Sequence, residues 1–290
     1  MEKLAQYFFV SGALTLLLAL ASYVLEAVIM RQFVPRRRLA ADAGGGTVDL
    51  EDEPRSGIGR YGTMLAFLAA LMLFGTMMAR TAASGHGPFA NMYDFSISFA
   101  FGIVVVYLAI HVRYPARVFG MITLPIALAL LAFAAAVPND IQPLVPALQQ
   151  NTLLTLHVSV AILAYACFAV SFAAGALYLV QERLHTRALP ELASLDEVGF
   201  LSAALGFPFM TLILILGAYW ANIAWGRYWG WDPKETASLV TWLLYAAYLH
   251  ARALRQWRGR RTAALLVLGF VAVMLTYFGN YFLTGLHAYK

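Results

Sequence analysis

LTLHVSVAILAYACFAVSFAAGALYLVQ, residues 154–181, contains no Asp, Glu, Lys or Arg. A helix needs roughly 17–25 apolar residues to cross a lipid bilayer, so this run is long enough to span one. Seven further apolar runs lie near 5–30, 61–80, 93–111, 118–137, 200–221, 237–254 and 262–284. The sequence therefore predicts an all-α integral membrane protein with about eight transmembrane helices.

Composition agrees with this class. Of the 290 residues, 61% are hydrophobic and only 12% are charged, whereas an average soluble protein carries about 25% charged residues. The first apolar run ends in MRQFVPRRR, residues 30–38, with no small-residue cleavage site before it. It is therefore interpreted as a retained helix rather than a signal peptide. Because Cys167 is the single cysteine, no disulfide can form within the chain.

The net charge of +5 is distributed unevenly. With the N-terminus outside, fifteen of the twenty Lys and Arg residues fall in the inner segments 31–60, 112–118, 182–199 and 252–261. The five outer residues are Lys3, Arg80, Arg227, Lys234 and Lys290. Basic residues favour the cytoplasmic side, so both termini are predicted to be extracytoplasmic. The basic charge thus indicates topology and not nucleic-acid binding.

The connections between the runs also differ in character. Residues 39–60, LAADAGGGTVDLEDEPRSGIGR, are Gly-rich and mixed in charge, which predicts a mobile cytoplasmic loop. The outer connections are 81–92, 138–153 and 222–236.

The last outer connection contains WGRYWGWDPKE, residues 225–235, with three of the six tryptophans. Asp232-Pro233-Lys234-Glu235 has the order expected for the N-cap, N1, N2 and N3 positions of helix seven. Asp accepts from first-turn amides, Pro suits N1, and Glu at N3 reaches back in a capping box.

The tryptophans allow three interpretations. Trp residues favour the membrane interface, so they could form an aromatic belt. Trp225, Trp229 and Trp231 are concentrated, however, and Arg227 and Lys234 add positive charge beside a helix N-terminus, which favours anions. A flat apolar body with anionic edges describes haem with its propionates. Another ligand or a partner protein is the third possibility.

Two histidines favour haem. His157 is predicted at the outer end of helix five and His287 just past the outer end of helix eight, both at the depth of the Trp-rich connection. Six-coordinate haem iron takes two axial ligands. His86 is a further outer candidate, although Gly85, Gly87 and Pro88 beside it also fit a turn.

His250 lies about fifteen residues into helix seven, roughly 22 Å along it at 1.5 Å per residue. An ionisable side chain at that depth is a functional candidate, but the nearby Arg252 also fits an inner-interface histidine. Both interpretations stay open. His111 and His185 are predicted to be ordinary surface residues.

These residues carry a family resemblance. WGRYWGWDPKETASLVTWLLYAAYLHARALRQWRGRR (225–261) and YFGNYFLTGLHAYK (277–290) closely resemble the CcsA/ResC family of system II cytochrome c biogenesis proteins, some of which are called CcsB. Its hallmark is the tryptophan-rich WWD segment. The match is dense over 200–290 and looser over 155–179 and 85–95, and it leaves out helix one and the loop 39–60.

The resemblance implies a set of site residues. His157 and His287 look like the two outer iron ligands of haem b, and His250 looks like the ligand of a second, intramembrane haem site. Trp225, Trp229, Trp231 and Asp232 match the WWD segment, flanked by Arg227 and Lys234. The expected division is residues 1–60, an N-terminal transmembrane helix and cytoplasmic loop, and 61–290, a haem-handling core with the WWD loop at 222–236.

The implied activity is that of a holocytochrome c synthase, or cytochrome c haem lyase, subunit. It would move haem across a plasma or thylakoid membrane and present it on the outer face for thioether attachment to the CxxCH segment of apocytochrome c. The expected partners are a separate ResB/CcsB-like membrane subunit, apocytochrome c, a thiol-reducing thioredoxin-like protein and the lipid bilayer.

Three alternatives come from other classes. One is a haem carrier or exporter without synthase activity. Another is a cytochrome b-type electron-transfer subunit, which often has two ligating histidines about thirteen residues apart on one helix; no such pair occurs in a predicted helix. A secondary transporter would need broken helices with midplane charges, and the apolar runs have almost none beyond Glu26.

Overall fold

The computed structural model describes residues 1–42, 57–114, 117–141, 151–186, 188–254 and 257–282. Within these ranges the regular structure is entirely helical, apart from turns and bends, as predicted. The eight α-helices are α1 (Glu2–Asp42), α2 (Gly57–Ser84), α3 (Met92–Arg113), α4 (Gly120–Ala136), α5 (Asn151–Leu184), α6 (Leu192–Trp225), α7 (Pro233–Leu254) and α8 (Arg260–Phe282).

The apolar runs located the helices correctly but underestimated their length. The polar inner segments 31–60 and 182–199, predicted as connections, are partly helical: α1 continues to Asp42, α5 ends at Leu184 and α6 already begins at Leu192. The reason is that hydrophobicity marks the part of a helix suited to lipid, whereas polar turns extend beyond it. Residues 43–56 of the predicted mobile loop, and the end of the run 262–284, lie outside the described residues.

Consecutive helices pack as antiparallel hairpins around close contacts at glycine. Tyr23 of α1 lies against Gly62 of α2, and Gly12 of α1 lies against Leu73. In the same way α6 crosses α5 at Gly206 and α8 crosses α7 at Gly269. Glycine at these positions removes the side chain and lets the helices approach closely.

The exterior of the described bundle is apolar. Large side chains such as Leu17 and Phe67 are 52% and 50% exposed, as expected of residues that face lipid. Seven helices, α1 to α6 and α8, contain segments long and apolar enough to cross a membrane. The protein is therefore a multi-pass membrane protein.

Helix α7 does not meet the same measure of length and apolarity in the part of the chain described. Its 22 residues include Lys234, Glu235, His250 and Arg252, and several of its buried residues carry hydroxyl groups. The prediction of eight transmembrane helices is thus supported for seven, and the outer location of the termini stays a prediction. So does the boundary at residue 60.

The two ends of the bundle have different polar contacts. At one end Arg80 of α2 forms a buried ion pair with Asp94 of α3 and donates from Nη1 to the Asn139 carbonyl at 3.1 Å. At the other end Arg252 of α7 pairs with Asp196 of α6 at 2.7 Å. The first end also holds the start of α5 and the connection from α6 to α7, and it contains the candidate site.

Candidate functional site

A cleft opens between α3, α5, α6, α8 and the start of α7. Its empty space, counted out to the mouth, is about 1240 Å³. Most of the lining is aliphatic or aromatic, with a few polar side chains that include His157, Lys234, Glu235 and Ser238. An apolar cleft with a small number of polar groups is the usual form of a small-molecule or cofactor site.

His157 is placed in the second turn of α5, half-buried in the wall of the cleft. Gly217 of α6 lies against its imidazole ring, and a Cβ at that glycine would be 3.1 Å from Cε1. The ring therefore fits a space that a larger residue at 217 would take. This fixes the imidazole between two long helices rather than on a loop.

Two left-handed residues shape the connection between α6 and α7. Gly226 ends α6 with φ 72° and donates its N–H to the Asn222 carbonyl at 2.9 Å. Trp231 has φ 56°, a conformation that a bulky residue rarely adopts. The chain turns so that Trp229 lines the cleft while Trp231 is 70% exposed. Their rings meet edge to face at 5.7 Å.

The predicted capping box at the start of α7 is confirmed. The Asp232 Oδ1 accepts from the Lys234 N–H at 3.0 Å, and the Glu235 Oε2 accepts from the Asp232 N–H at 3.2 Å. The same Glu235 oxygen accepts from the Gly230 N–H at 2.8 Å and so ties the connection to the helix. These three amides are therefore not free to bind an anion.

We expect Asp232→Ala to lower the free energy of unfolding by about 1 kcal/mol, the usual value of an N-cap. The reason is that the Lys234 amide loses its acceptor. Thermal denaturation in detergent measures the change. Asp232→Asn is the matched control because it keeps an acceptor oxygen. It should lower the free energy of unfolding by only a few tenths of the loss expected for Asp232→Ala. Equal losses in the two variants would show that the charge and not the cap is needed.

Lys234 and Trp229 bring two hydrogen-bond donors to the cleft. Burial lowers the pKa of the Lys234 ammonium to about 8, although the nearby Asp232 carboxylate raises it. Among the described residues Lys234 has no ion pair within 4.0 Å, and the buried Trp229 Nε1 has no acceptor there. Both donors are available to an anionic ligand.

Other predicted site residues do not line the cleft. Trp225 packs edge to face on Trp220 at 4.9 Å, and it is Trp220 that reaches the cleft wall. Arg227 is exposed and its guanidinium lies against Gly230. Asp232 is buried in the cap. The role of these residues in ligand contact stays a prediction.

The remaining histidines lie apart from the cleft lining. His250 is exposed near the far end of α7, seventeen residues after Pro233 and therefore about 26 Å along the helix. His86 shares a 2.9 Å hydrogen bond between its Nδ1 and the Gly87 carbonyl, which fits the turn interpretation. His287 lies outside the described residues, five positions after Phe282.

The sequence did not predict that Phe99, Tyr165 and Tyr277 line the cleft. Phe99 of α3 packs against Tyr165 of α5 at 5.7 Å and Tyr277 of α8 at 5.3 Å. The Tyr277 hydroxyl shares a 2.7 Å hydrogen bond with Ser96. One local signal was present, since residues 157, 161 and 165 are four apart and share one face of α5.

The chain is similar to known proteins over most of its length. The model of the cytochrome C assembly protein family matches residues 89–287. Two relatives called cytochrome c biogenesis protein CcsA are 34% identical over 281 residues in Pyropia yezoensis (80% of this chain, 88% of the relative) and 38% over 262 residues in Guillardia theta (80% and 85%). A third, from Microcystis aeruginosa, is 35% identical over 291 residues (80% and 87%).

A solved structure with a similar fold is that of the cytochrome c heme lyase CcmF, with a TM-score of 0.70 at 19% identity. The match covers 96% of this chain but 46% of the solved chain, so this protein spans about half the length of that neighbour. The likeness shows a shared helical fold. By the family match and its relatives, this chain belongs to the CcsA family of cytochrome c biogenesis proteins.

Proposed function

We propose that this protein is the haem-handling subunit of a system II cytochrome c synthase and that the cleft holds haem b during its attachment to apocytochrome c. One observation carries the proposal: a single apolar cleft combines the His157 imidazole, the Trp229 indole and the Lys234 ammonium. These groups come from α5, the WWD connection and α7. Relatives named for cytochrome c biogenesis and a fold neighbour named as a haem lyase support the same role.

The cleft suits the three chemical parts of haem. Aromatic faces from Phe99, Tyr165 and Trp229 suit a flat apolar ring. The His157 nitrogen is a normal axial ligand for haem iron. The Trp229 N–H and the Lys234 ammonium suit the propionate carboxylates, since hydrogen bonds between charged groups are the strong ones.

The second axial ligand in this proposal is His287. Thr276 and Tyr277 of α8 line the cleft, and His287 follows Tyr277 by ten residues. The five residues after Phe282 can extend about 17 Å at most. This assignment rests on sequence and family resemblance.

The chain's own part in the reaction is to bind and orient. When bound, haem would supply two vinyl groups. The S–H group of each of the substrate's two cysteine thiols would add across one vinyl C=C bond, which gives a thioether. The helices hold the ring in a mostly apolar setting, and positioning of this kind can supply much of a rate enhancement. Cys167 takes no part, because it is buried in α5.

The proposal includes a second position and a partner. His250 is exposed on α7 far from the cleft, where a side chain from a ResB/CcsB-like membrane subunit could reach it. This would be an intramembrane haem site through which haem crosses toward the outer cleft. The membrane would be a plasma or thylakoid membrane with the WWD loop outside, and a thioredoxin-like protein would keep the substrate thiols reduced.

The test is coexpression of the full chain with a ResB/CcsB-like partner and a CxxCH reporter. Covalent haem in the reporter is measured by peroxidase staining after denaturing electrophoresis. We expect wild type to give stained reporter and Trp229→Ala to give much less, with Trp231→Ala as the matched control outside the cleft. Haem release to the outer face without thioether formation in wild type would instead identify a carrier or exporter.

We expect Lys234→Met to weaken haem binding about 10–100-fold, because a hydrogen bond to a charged group contributes about 1.5–3 kcal/mol. Titration of the purified apoprotein with haem measures it. Haem dimethyl ester, which lacks the carboxylates, should bind wild type and variant about equally. Arg227→Met is the control outside the cleft; an equal loss in that variant would place the carboxylate contact at Arg227.

The same lysine predicts a pH dependence. With a pKa of about 8 in the empty cleft, Lys234 is charged below that pH and loses its charge above it. A bound carboxylate favours the charged form, so the pKa of Lys234 is higher in the haem complex. Haem affinity should thus be constant below pH 8 and fall in the alkaline range, and the step should be absent in Lys234→Met. A step that persists in the variant would contradict the assignment.

A further inference from the structure

The buried face of α7 carries a continuous stripe of polar side chains. Its members are alternately four and three residues apart, so they share one face of the helix. They are Lys234, Ser238, Thr241, Tyr245, Tyr248 and Arg252. Arg252 lies 18 positions after Lys234, so the stripe is about 27 Å long, close to the roughly 30 Å thickness of a bilayer core.

The stripe joins the two ends of the bundle. At one end Lys234 and Ser238 line the cleft. At the other end Arg252 Nη1 donates to Asp196 of α6 at 2.7 Å. Between these ends the four hydroxyl side chains are 6% exposed or less. The stripe therefore lies inside the protein for most of its length.

The opposite face of α7 is apolar. Val240 and Leu243 are 46% and 51% exposed, whereas Thr241 and Tyr245 are buried. Apart from the exposed His250, the helix thus places its polar side chains inward and its aliphatic ones outward, the reverse of a helix in a soluble protein. This arrangement explains why α7 is less apolar than the candidate membrane spans in the other seven helices.

Hydrogen bonds account for only part of the stripe. The Thr241 hydroxyl donates to the Ala237 carbonyl at 2.9 Å and lies 3.0 Å from the Thr276 hydroxyl of α8. The Tyr245 and Tyr248 hydroxyls and the Ser202 hydroxyl of α6 are buried, and in the described ranges none makes a hydrogen bond of normal length, although the Ser171 side chain of α5 lies close to the Tyr245 hydroxyl. Three donors of this kind inside one bundle need an explanation, because each buried unpaired group is destabilising.

The side chains that carry the three hydroxyls come from neighbouring turns of α6 and α7. Tyr245 stacks on Phe168 of α5, with ring centroids 3.6 Å apart and planes 9° from parallel. On α6, Gly206 lies against the same Phe168, and Gly199 lies against Ala174. Ser202 falls between these two contacts. Tyr248 is about one helical turn from Tyr245, and Gly269 of α8 lies against the Tyr245 ring, so α5, α6, α7 and α8 surround these side chains.

Buried water is the usual partner of such groups. An internal water makes about three hydrogen bonds to buried polar atoms that otherwise lack them. We propose that ordered water bridges Tyr245, Tyr248 and Ser202 and makes the α7 stripe a hydrated track between the Asp196–Arg252 pair and Lys234 in the cleft. The ligand of this track is water. The proposal is independent of the haem proposal because it requires no contact with haem.

Hydroxyl-radical footprinting of the full chain in lipid nanodiscs tests this directly. Ionising radiation makes radicals from bound water, so a buried side chain beside water is oxidised and one in a dry core is not. We expect oxidation of Tyr245 and Tyr248 at rates near that of Tyr228, which lies in the connection between α6 and α7 and is 59% exposed. Tyr107 is the matched control: it is fully buried and its hydroxyl donates to Tyr23 at 2.9 Å. Equal protection of Tyr107, Tyr245 and Tyr248 would overturn the proposal.

Thermal stability gives a second readout through its sign. If water bridges the hydroxyls, Tyr245→Phe and Tyr248→Phe each lose a hydrogen bond and lower Tm by about 2–4 °C. If the hydroxyls lie dry and unpaired, removing them relieves a penalty and raises Tm. Tyr107→Phe should lower Tm in either case. A raised Tm for both stripe variants would also overturn the proposal.

Discussion

We expect His157→Ala to lose the haem of the outer cleft and, with it, nearly all maturation of a reporter cytochrome c. The imidazole comes from a long helix and lies in the cleft wall against Gly217, so its position is set by the packing of α5 on α6. If His157 is an axial ligand as proposed, its loss would leave haem held only by ring and carboxylate contacts. The optical spectrum of the purified complex measures the bound haem.

Added imidazole distinguishes ligation from a structural role. Removal of the side chain leaves a space of its own shape beside Gly217, which free imidazole can enter. We therefore expect millimolar imidazole to restore the Soret and α bands and part of the maturation. His86→Ala is the matched control, because that histidine lies in a turn at the same end of the bundle. Haem loss that imidazole does not restore would refute ligation by His157.

His287→Ala and His250→Ala complete the series. If His287 is the second outer ligand, its variant should behave as His157→Ala does and respond to imidazole in the same way. His250 does not line the cleft, so its variant should keep haem bound there from solution while losing haem delivered from the membrane. An unchanged spectrum in all three variants would favour the alternative that the tryptophans form an aromatic belt at the membrane interface.

Features set by local sequence could be predicted. The positions of the apolar runs follow from the length that a bilayer requires, and within the described residues each run lies mainly in one α-helix. The Asp232–Glu235 capping box depends on four consecutive residues, and its hydrogen bonds are those expected. His157 lies near the start of α5 because the apolar run begins there.

Features set by contacts between distant helices could not be predicted. Trp225, Trp229 and Trp231 are equivalent in sequence, yet only Trp229 lines the cleft, because the left-handed backbone at Trp231 turns that residue outward. Phe99 and Tyr277 pack against each other in the cleft although 178 positions separate them in the sequence. The polar face of α7 is regular in sequence, but its burial depends on α5, α6 and α8.

The largest effect on stability should come from Arg80→Met. Arg80 and Asp94 are 7% and 3% exposed, and the guanidinium also contacts the Tyr93 ring at 4.5 Å and the Asn139 carbonyl. Removal of the arginine leaves a buried carboxylate without its partner, which typically costs about 3–5 kcal/mol. We expect a loss of that size in denaturant unfolding, followed by haem loss, because Met92 and Phe95 of the same helix end line the cleft.

Two controls separate the buried charge from other causes. Asp94→Asn added to Arg80→Met removes the stranded charge and should recover most of the stability, since the cost comes from an unpaired ion rather than from a lost contact. Arg117→Met tests the second pair, Arg117 with Glu26, whose side chains are 28% and 11% exposed. Greater access to solvent should make that loss smaller. If the double variant were as unstable as Arg80→Met alone, the Tyr93 and Asn139 contacts, not the ion pair, would hold α2 against α3.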